Sequence, residues 1–149
     1  MGIEIERKFL VDAEKISVVK FASEEKISQG YLSREPTVRV RLKNNRGFLT
    51  IKSLSDGISR LEFEYEIPAR DAEELLNLCG ARVLKKIRRK ISCGEKIWEV
   101  DFFEGKHAGL ILAEVELKTP DEPVELPEWI KEEVTGDERF YNSNMVMTD

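Results

Sequence analysis

Charged residues recur at every second position near the start of the chain. Glu4, Glu6 and Lys8 alternate with Ile3 and Ile5, so an extended backbone places the three charged side chains on one face. Carboxylates are the oxygen ligands that Mg²⁺ and Mn²⁺ prefer, whereas a lysine ammonium suits the oxygens of a phosphate. Carboxylates would repel a bare anion. The mixture therefore favours a phosphate compound that binds together with a divalent metal.

The same alternation continues along the chain, usually with one sign of charge in each segment. The basic residues suited to phosphate oxygens are Lys8, Arg39, Arg41, Lys43, Lys52, Lys86 and Arg88. The acidic residues in equivalent positions are Glu62, Glu64, Asp101, Glu114 and Glu116. Segment 85–90 allows two registers. We assign Lys86 and Arg88 to the charged face because Ile87 and Ile91 then share the apolar face.

Strict alternation over four to eight residues predicts β-strands rather than helices. With a further strand over residues 28–33, the chain contains about eight such segments. The turn sequences NNRG (44–47) and SCGEK (92–96) predict hairpins. Neighbouring strands are therefore expected to be mostly antiparallel.

Helices are fewer, and the clearest covers the segment RDAEELLNLCG (70–80). Asp71 and Glu74 have the spacing of a capping box, and Gly80 stands where a helix commonly ends. A second helix is expected over 12–25, and two short C-terminal helices over 128–134 and 137–147. These elements are suited to covering the apolar face of the sheet.

The charged face of the sheet has two interpretations. In an open sheet the charges meet solvent, as on many antiparallel sheets. In a closed barrel they point inward, and about eight strands enclose space for one small ligand. We favour the barrel because each strand carries nearly pure, like-charged runs. Each buried ion costs several kcal/mol in desolvation, so the interior must be wet and hold an ionic ligand. A linear polyphosphate that chelates Mg²⁺ is the simplest one.

Composition narrows the class of protein. The 149 residues suit a single domain, 1–149, and the net charge of −5 disfavours non-specific nucleic-acid binding through a basic face. Cys79 and Cys93 lack metal-site spacing, which favours a reducing, cytoplasmic location. The sequence contains no apolar run long enough to span a membrane. The lone histidine, His107, lies in the loop-like segment GKHAG, so it is expected to be solvated rather than catalytic.

The segment EIERK resembles the ExExK signature of the CYTH superfamily, the triphosphate tunnel metalloenzymes. The resemblance extends over nearly the whole chain, in the segments EIERKFLV, QGYL, VRVRL, TIKS, SRLEFE, KIR, WEVDFF, AEVEL and VTGDERFYN. It implies an eight-stranded antiparallel β-barrel, or tunnel, flanked by a few helices. That fold agrees with the closed barrel expected from the charge pattern.

The resemblance also implies roles for individual residues. The implied metal ligands are Glu4, Glu6, Glu114 and Glu116, with Mg²⁺ or Mn²⁺ as the cofactor. The implied triphosphate contacts are Lys8, Arg39, Arg41, Lys52, Lys86 and Arg88. Glu62, Glu64 and Asp101 match acidic tunnel positions that could hold a second metal or the attacking water, and with Glu4, Glu6 and Lys8 they form the expected catalytic set. Arg139 either closes over the phosphate or forms a surface salt bridge.

The activity that the resemblance implies is metal-dependent hydrolysis of a triphosphate. Inorganic tripolyphosphate is the favoured substrate, giving diphosphate and phosphate, and nucleoside triphosphates are further substrates. A class IV adenylate cyclase, a thiamine triphosphatase and a non-catalytic triphosphate-binding or nucleotide-binding module remain open. The implied partner is the small-molecule substrate, with neither nucleic acid nor membrane, and a homodimer is left open.

Overall fold

A computed structural model describes residues 3–55 and 58–147, which contain nine β-strands, three α-helices and two 3₁₀ turns. The strands are β1 (Ile3–Val11), β2 (Ser23–Arg34), β3 (Thr37–Lys43), β4 (Arg46–Lys52), β5 (Ser59–Ile67), β6 (Val83–Cys93), β7 (Lys96–Phe103), β8 (Ile111–Glu116) and β9 (Ile130–Glu133). The helices are α1 (Ala13–Ile16), α2 (Ala69–Cys79) and α3 (Asn142–Met145), with 3₁₀ turns at Gly105–His107 and Glu138–Phe140.

Eight of the described strands form a closed antiparallel barrel. They are hydrogen-bonded in the order β5-β4-β3-β2-β6-β7-β8-β1, and β1 returns to β5 through Ile3 opposite Leu61 and Glu4 opposite Arg60. The second half of β1 pairs with β9 instead, where Phe9 lies opposite Glu133. The predicted mainly β fold with an eight-stranded closed barrel is confirmed, and both predicted hairpins are present.

The outer face of the barrel is apolar and is covered in two places. Over β1 and β6–β8, the buried rings of Phe9, Trp98 and Trp129 pack together, with 5.6–5.7 Å between neighbouring ring centroids. Over β2–β4, helix α2 packs closely because Gly30 and Gly47 have no side chains. A Cβ at Gly30 would lie 2.6 Å from the sulfur of Cys79, and one at Gly47 would lie 2.8 Å from the Cβ of Ala72.

The interior of the barrel is charged along part of its length and apolar at one end. Alternation sends Lys8 and Leu10 to the same face of β1, and they lie opposite Glu114 and Leu112 on β8. A cluster of mostly apolar side chains fills this end, made of Tyr31, Leu84, Phe103, Leu112, Val134, Met145 and Val146. Because Met145 and Val146 belong to the C-terminal segment, the chain closes this end of its own barrel.

The predicted cap of helix 70–80 and the predicted length of the helix over 12–25 differ from the structure. Helix α2 begins at Ala69 after Pro68, so Asp71 lies in the first turn and makes no cap; the predicted capping box is wrong. Gly80 does end the helix, with a φ of +61°. The helix expected over 12–25 spans only Ala13–Ile16, because the chain from Ser23 onward pairs with β6. Pairing in the sheet overrides local propensity here.

Of the two predicted C-terminal helices, the first is wrong and the second is confirmed in part. The segment 128–134 contains strand β9 rather than a helix, because its backbone pairs with the free half of β1. The segment 137–147 forms the 3₁₀ turn Glu138–Phe140 and the short helix α3, so this prediction is confirmed in part. Among the described residues, no helix has the length and apolar character needed to cross a membrane.

Candidate active site

A cavity of about 410 Å³ occupies the charged part of the barrel. All eight barrel strands contribute to its wall, because each strand turns alternate positions inward; these include charged residues on every strand except β2, which contributes Tyr31. The predicted site residues that line the cavity are Glu4, Glu6, Lys8, Arg39, Arg41, Lys43, Lys52, Glu62, Glu64, Lys86, Arg88, Glu114 and Glu116. The structure thus brings together all but two of the residues that the sequence pattern assigned to a site.

Asp101 and Arg139 are the two exceptions. Asp101 is 1% exposed and lies behind the cavity wall, where its two oxygens are engaged by Lys86 and Arg88. The side chain of Arg139 is 80% exposed and pairs with Asp137 at 2.6 Å, outside the cavity. Of the two alternatives for Arg139, the structure shows the surface salt bridge, which the 3₁₀ turn Glu138–Phe140 supports by placing the side chain beside Asp137.

Arg41 is a buried cation held by a neutral group. Its Nε and Nη2 atoms donate to Oε1 of Gln29 at 2.9 and 2.7 Å. No carboxylate of the described residues forms an ion pair with it. Burial, together with the nearby charges of Arg39 and Arg88, lowers the pKa of Arg41 to about 9. An anion in the cavity would relieve this unfavourable concentration of positive charge.

Arg39, like Arg41, has an environment that favours binding of an anion. Its Nη2 atom donates to the hydroxyl of Thr50 at 3.2 Å and lies 3.5 Å from a carboxylate oxygen of Glu64. Its Nε atom is buried and has no hydrogen-bond partner among the described residues. A buried donor without a partner is unfavourable by about 1–3 kcal/mol, so a phosphate oxygen at this point would be stabilised.

Lys86 and Arg88 share one buried carboxylate. Lys86 Nζ lies 2.6 Å from Asp101, and Arg88 donates to both Asp101 oxygens at 2.7 and 2.9 Å. Burial would raise the pKa of Asp101, but the two cations outweigh it and hold that pKa far below its usual range. Burial lowers the pKa of Lys86 to about 7, with Arg88 and Arg41 adding to the effect and Asp101 opposing it. This cluster fixes two cations at the base of the cavity.

Lys52 and Glu4 form the centre of a second cluster. Lys52 Nζ lies 2.9 Å from Glu4 and 3.1 Å from Glu62, and Arg60 Nε lies 3.2 Å from Glu4. Burial alone would raise the pKa of Glu4, but Lys52, a hydrogen bond from Glu62 and the charge of Arg60 lower it to about 2. Burial and the hydrogen bond to Glu4 raise the pKa of Glu62. Glu4 and Glu62 therefore both contact Lys52 and form one coupled acidic pair beside it.

Glu6 and Glu114 form a third cluster. Their carboxyl groups are hydrogen-bonded to each other. Burial and the charges of Glu114 and Glu4 raise the pKa of Glu6 well above its ordinary value. Lys8 Nζ lies 3.9 Å from Glu114 and donates to the carbonyl of Phe140 at 3.0 Å. Two carboxyl groups that share one proton form a site at which a divalent cation can replace that proton.

The described residues contain no group of three or more His, Cys, Asp or Glu side chains placed to hold a metal ion together. Glu116 lines the cavity but is exposed. Glu6 and Glu114 nevertheless fit Mg²⁺ or Mn²⁺, because Mg²⁺ is usually held by one or two carboxylates, waters and the phosphates of the substrate rather than by a complete protein cage. The donor set thus suits a metal that arrives with a phosphate chain.

Several residues of the cavity wall are not among the predicted site residues. They are Tyr31, Thr37, Ser55, Ile58, Arg60, Lys90, Ile97, Glu99, Thr135, Gly136, Tyr141, Asn142 and Ser143. Arg60, Lys90 and Glu99 continue the charge alternation already recognised, so the same pattern could have found them. Residues 141–143 carried no such signal, because they reach the cavity from helix α3 and its flank. Asn142 Oδ1 accepts hydrogen bonds from Lys86 and Gln29 at 2.7 and 3.1 Å.

Comparison with known proteins gives consistent matches over nearly the whole chain. The CYTH domain model matches residues 2–141. An inorganic triphosphatase of Acetivibrio thermocellus is 45% identical over 149 residues, covering 98% of this chain and 94% of that protein. An inorganic triphosphatase of Nitrosomonas europaea is 35% identical over 157 residues, covering 97% of each. The crystal structure of an inorganic triphosphatase is similar with a TM-score of 0.68 and 29% identity, covering 98% of this chain and 95% of that one. The chain belongs to the CYTH domain family.

Proposed function

We propose that this protein hydrolyses inorganic tripolyphosphate to diphosphate and phosphate with the help of Mg²⁺ or Mn²⁺. The observation that carries the proposal is the convergence of nine basic side chains and several carboxylates of the described residues on one cavity of about 410 Å³. The basic residues are Lys8, Arg39, Arg41, Lys43, Lys52, Arg60, Lys86, Arg88 and Lys90. The two relatives named inorganic triphosphatase, at 45% and 35% identity, support the same assignment.

The proposed mechanism depends mainly on position and charge. Arg39, Arg41 and Arg88 would hold the phosphate chain through their guanidinium groups and stabilise charge that develops on its oxygens. A water molecule attacks the terminal phosphorus in line, the bond to the bridging oxygen breaks, and diphosphate leaves. No covalent intermediate on the protein is needed.

Carboxylates would supply the metal site and orient the water. Glu6 and Glu114, with Glu4 and Glu116 nearby on the same strands, would hold the divalent ion. When bound, that ion would offset negative charge on the phosphate oxygens. Glu62 and Glu64 are the remaining carboxylates of the predicted catalytic set for positioning water, since both oxygens of Asp101 are already engaged.

A substrate panel tests the proposal. Purified protein is incubated with Mg²⁺ or Mn²⁺ and, separately, with tripolyphosphate, ATP, thiamine triphosphate and an RNA 5′-triphosphate. We expect phosphate release to be fastest from tripolyphosphate and to stop when EDTA removes the metal. Formation of cyclic AMP and diphosphate from ATP, with no release of phosphate from tripolyphosphate, would establish the cyclase alternative instead.

The structure disfavours the thiamine alternative. A thiamine heterocycle would need an aromatic surface for stacking, and Trp98 and Trp129 have the largest aromatic side chains of the chain. Trp129 is 5% exposed and packs edge-on against Trp98 outside the barrel, with 5.7 Å between ring centroids. Neither tryptophan lines the cavity.

Tripolyphosphate should also stabilise the folded protein. A ligand at about 100 times its dissociation constant adds about 2.7 kcal/mol to the free energy of unfolding. We therefore expect the midpoint of thermal unfolding to rise by several degrees when tripolyphosphate and Mg²⁺ are added together. The same shift in equimolar sulfate, or no shift with tripolyphosphate, would favour a structural protein whose ionic sheet binds no specific ligand.

The pKa of Lys86 predicts that the binding of tripolyphosphate depends on pH. Its pKa of about 7 leaves the amine mostly uncharged at pH 8, and a bound polyanion stabilises the ammonium and raises that pKa. Binding at pH 8 should therefore take up a proton, and affinity should fall as the pH rises above about 7. Calorimetry in two buffers with different ionisation enthalpies measures this uptake. It should disappear in Lys86→Met and persist in the surface variant Lys20→Met; equal uptake in all three proteins would contradict the assignment.

We also propose a cytoplasmic location. Cys79 and Cys93 are both free thiols, which supports a reducing compartment. Fractionation of cells that express the natural protein would test this proposal.

A further inference from the structure

Gln29 on strand β2 makes a two-point contact with Arg41 that resembles a salt bridge but lacks the negative charge. The residue is completely buried, and its Oε1 atom accepts from Nε and Nη2 of Arg41 at 2.9 and 2.7 Å. In the same barrel, Asp101 accepts from Nε and Nη2 of Arg88 at 2.7 and 2.9 Å. The two arginines are thus held through the same pair of nitrogens, one by a carboxylate and one by an amide.

The orientation of the Gln29 amide is fixed by its other contacts. Its Nε2 atom donates to the hydroxyl of Tyr31 at 2.7 Å and to Oδ1 of Asn142 at 3.1 Å. The same Asn142 oxygen accepts from Lys86 Nζ at 2.7 Å, so two donors meet at this oxygen. Gln29 must then present its own oxygen to Arg41. The network defines one direction for each amide and one position for the guanidinium.

The chemical consequence concerns the charge of Arg41. A carboxylate in place of the amide would hold the guanidinium equally well but would neutralise it. An anionic ligand would then have to compete with that carboxylate. The amide satisfies two donors of Arg41 and leaves its positive charge available to the cavity.

We propose that Gln29 is a positioning residue that orients Arg41 toward the triphosphate while leaving its charge uncompensated. This inference rests on the proposed function, because it assumes that the cavity binds a triphosphate. Gln29 itself is not among the cavity-lining residues, so it acts through Arg41 rather than on the substrate.

The first test compares wild type with Gln29→Glu. Binding of a non-hydrolysable imido analogue of tripolyphosphate is measured by calorimetry in the presence of Mg²⁺, so that the metal is present and no turnover occurs. We expect the dissociation constant to rise by about 10- to 100-fold, the range for loss of one hydrogen-bonded charge contact. If the wild type binds and a folded Gln29→Glu variant has a dissociation constant within threefold of the wild-type value, the inference is overturned but the proposed function is not. A wild type that does not bind tripolyphosphate, with or without metal, would remove the proposed function and the inference together.

A second test does not depend on the folding of Gln29→Glu. Gln29→Met keeps the volume of the side chain but removes both hydrogen bonds to Arg41. It is combined with Arg41→Ala in a double-mutant cycle, read out as the dissociation constant for tripolyphosphate. We expect Gln29→Met to weaken binding about tenfold when Arg41 is present and less than about twofold in the Arg41→Ala background. Equal weakening in both backgrounds would indicate a structural role in the barrel and overturn the inference.

Discussion

Replacing Glu6 by Gln is expected to lower the rate of tripolyphosphate hydrolysis by at least about a thousandfold. The substitution keeps the shape of the side chain and removes the carboxylate that pairs with Glu114 at the proposed metal site. Loss of that ligand removes charge stabilisation of the transition state, and about 4 kcal/mol corresponds to a thousandfold in rate. Phosphate release from tripolyphosphate at saturating Mg²⁺ or Mn²⁺ measures the effect.

The fold should survive this change, because a glutamine amide can donate to Glu114 in place of the shared proton. Glu74→Gln is the matched control, since the side chain of Glu74 is 71% exposed on helix α2. The control should retain wild-type activity. A folded Glu6→Gln protein with more than a tenth of the wild-type rate would remove Glu6 from the catalytic set.

Arg41→Ala is expected to raise KM for tripolyphosphate by about 10- to 100-fold. Arg41 is the buried cation of the cavity that forms no ion pair with the described carboxylates, so its charge is fully available to an anionic ligand. Hydrogen bonds to charged groups contribute about 1.5–3 kcal/mol each, which corresponds to the stated range. Steady-state kinetics of phosphate release measure the change.

Arg70→Ala is the matched control for this prediction. The side chain of Arg70 is 87% exposed on helix α2, outside the barrel. It should leave KM unchanged, which separates the effect of one buried cation from a general loss of positive charge. Equal KM values for Arg41→Ala, Arg70→Ala and wild type would contradict the assignment of Arg41 to the substrate.

The sequence predicted the barrel and most of its cavity because period-2 alternation is a geometric property of strands. Once Glu4, Glu6 and Lys8 alternate with apolar residues, closure of the sheet determines that they share an interior. The same logic placed Lys86 and Arg88 in the cavity wall despite the ambiguous segment 85–90. Their interior positions follow from Ile91 packing into the outer core.

Other features depended on tertiary contacts that alternation does not encode. Strand β9 forms because one half of β1 lacks another strand on that side, whereas its local sequence suggested a helix. Asp101 has the correct alternation, yet it does not line the cavity, because Lys86 and Arg88 engage both of its oxygens. Asn142 and Gln29 are neutral residues, so a search for charges passed over them.

The many buried charges of the site are arranged in small groups, most of which contain both signs of charge. Asp101 compensates Lys86 and Arg88, Glu4 and Glu62 flank Lys52, and Glu114 lies beside Lys8. Burial of isolated ions would be very costly, and pairing reduces that cost. Arg41 is the exception among the described residues. Because no carboxylate compensates this buried cation, an anionic ligand gains the most binding free energy by contacting it.

The most direct test of this account is a crystal structure with Mn²⁺ and a non-hydrolysable imido analogue of tripolyphosphate, in which the anomalous signal locates the metal. The account predicts the phosphate chain inside the barrel in contact with Arg39, Arg41 and Arg88, and manganese bound by Glu6 and Glu114. A phosphate chain on the outer surface of the barrel, or manganese bound away from both glutamates, would contradict it.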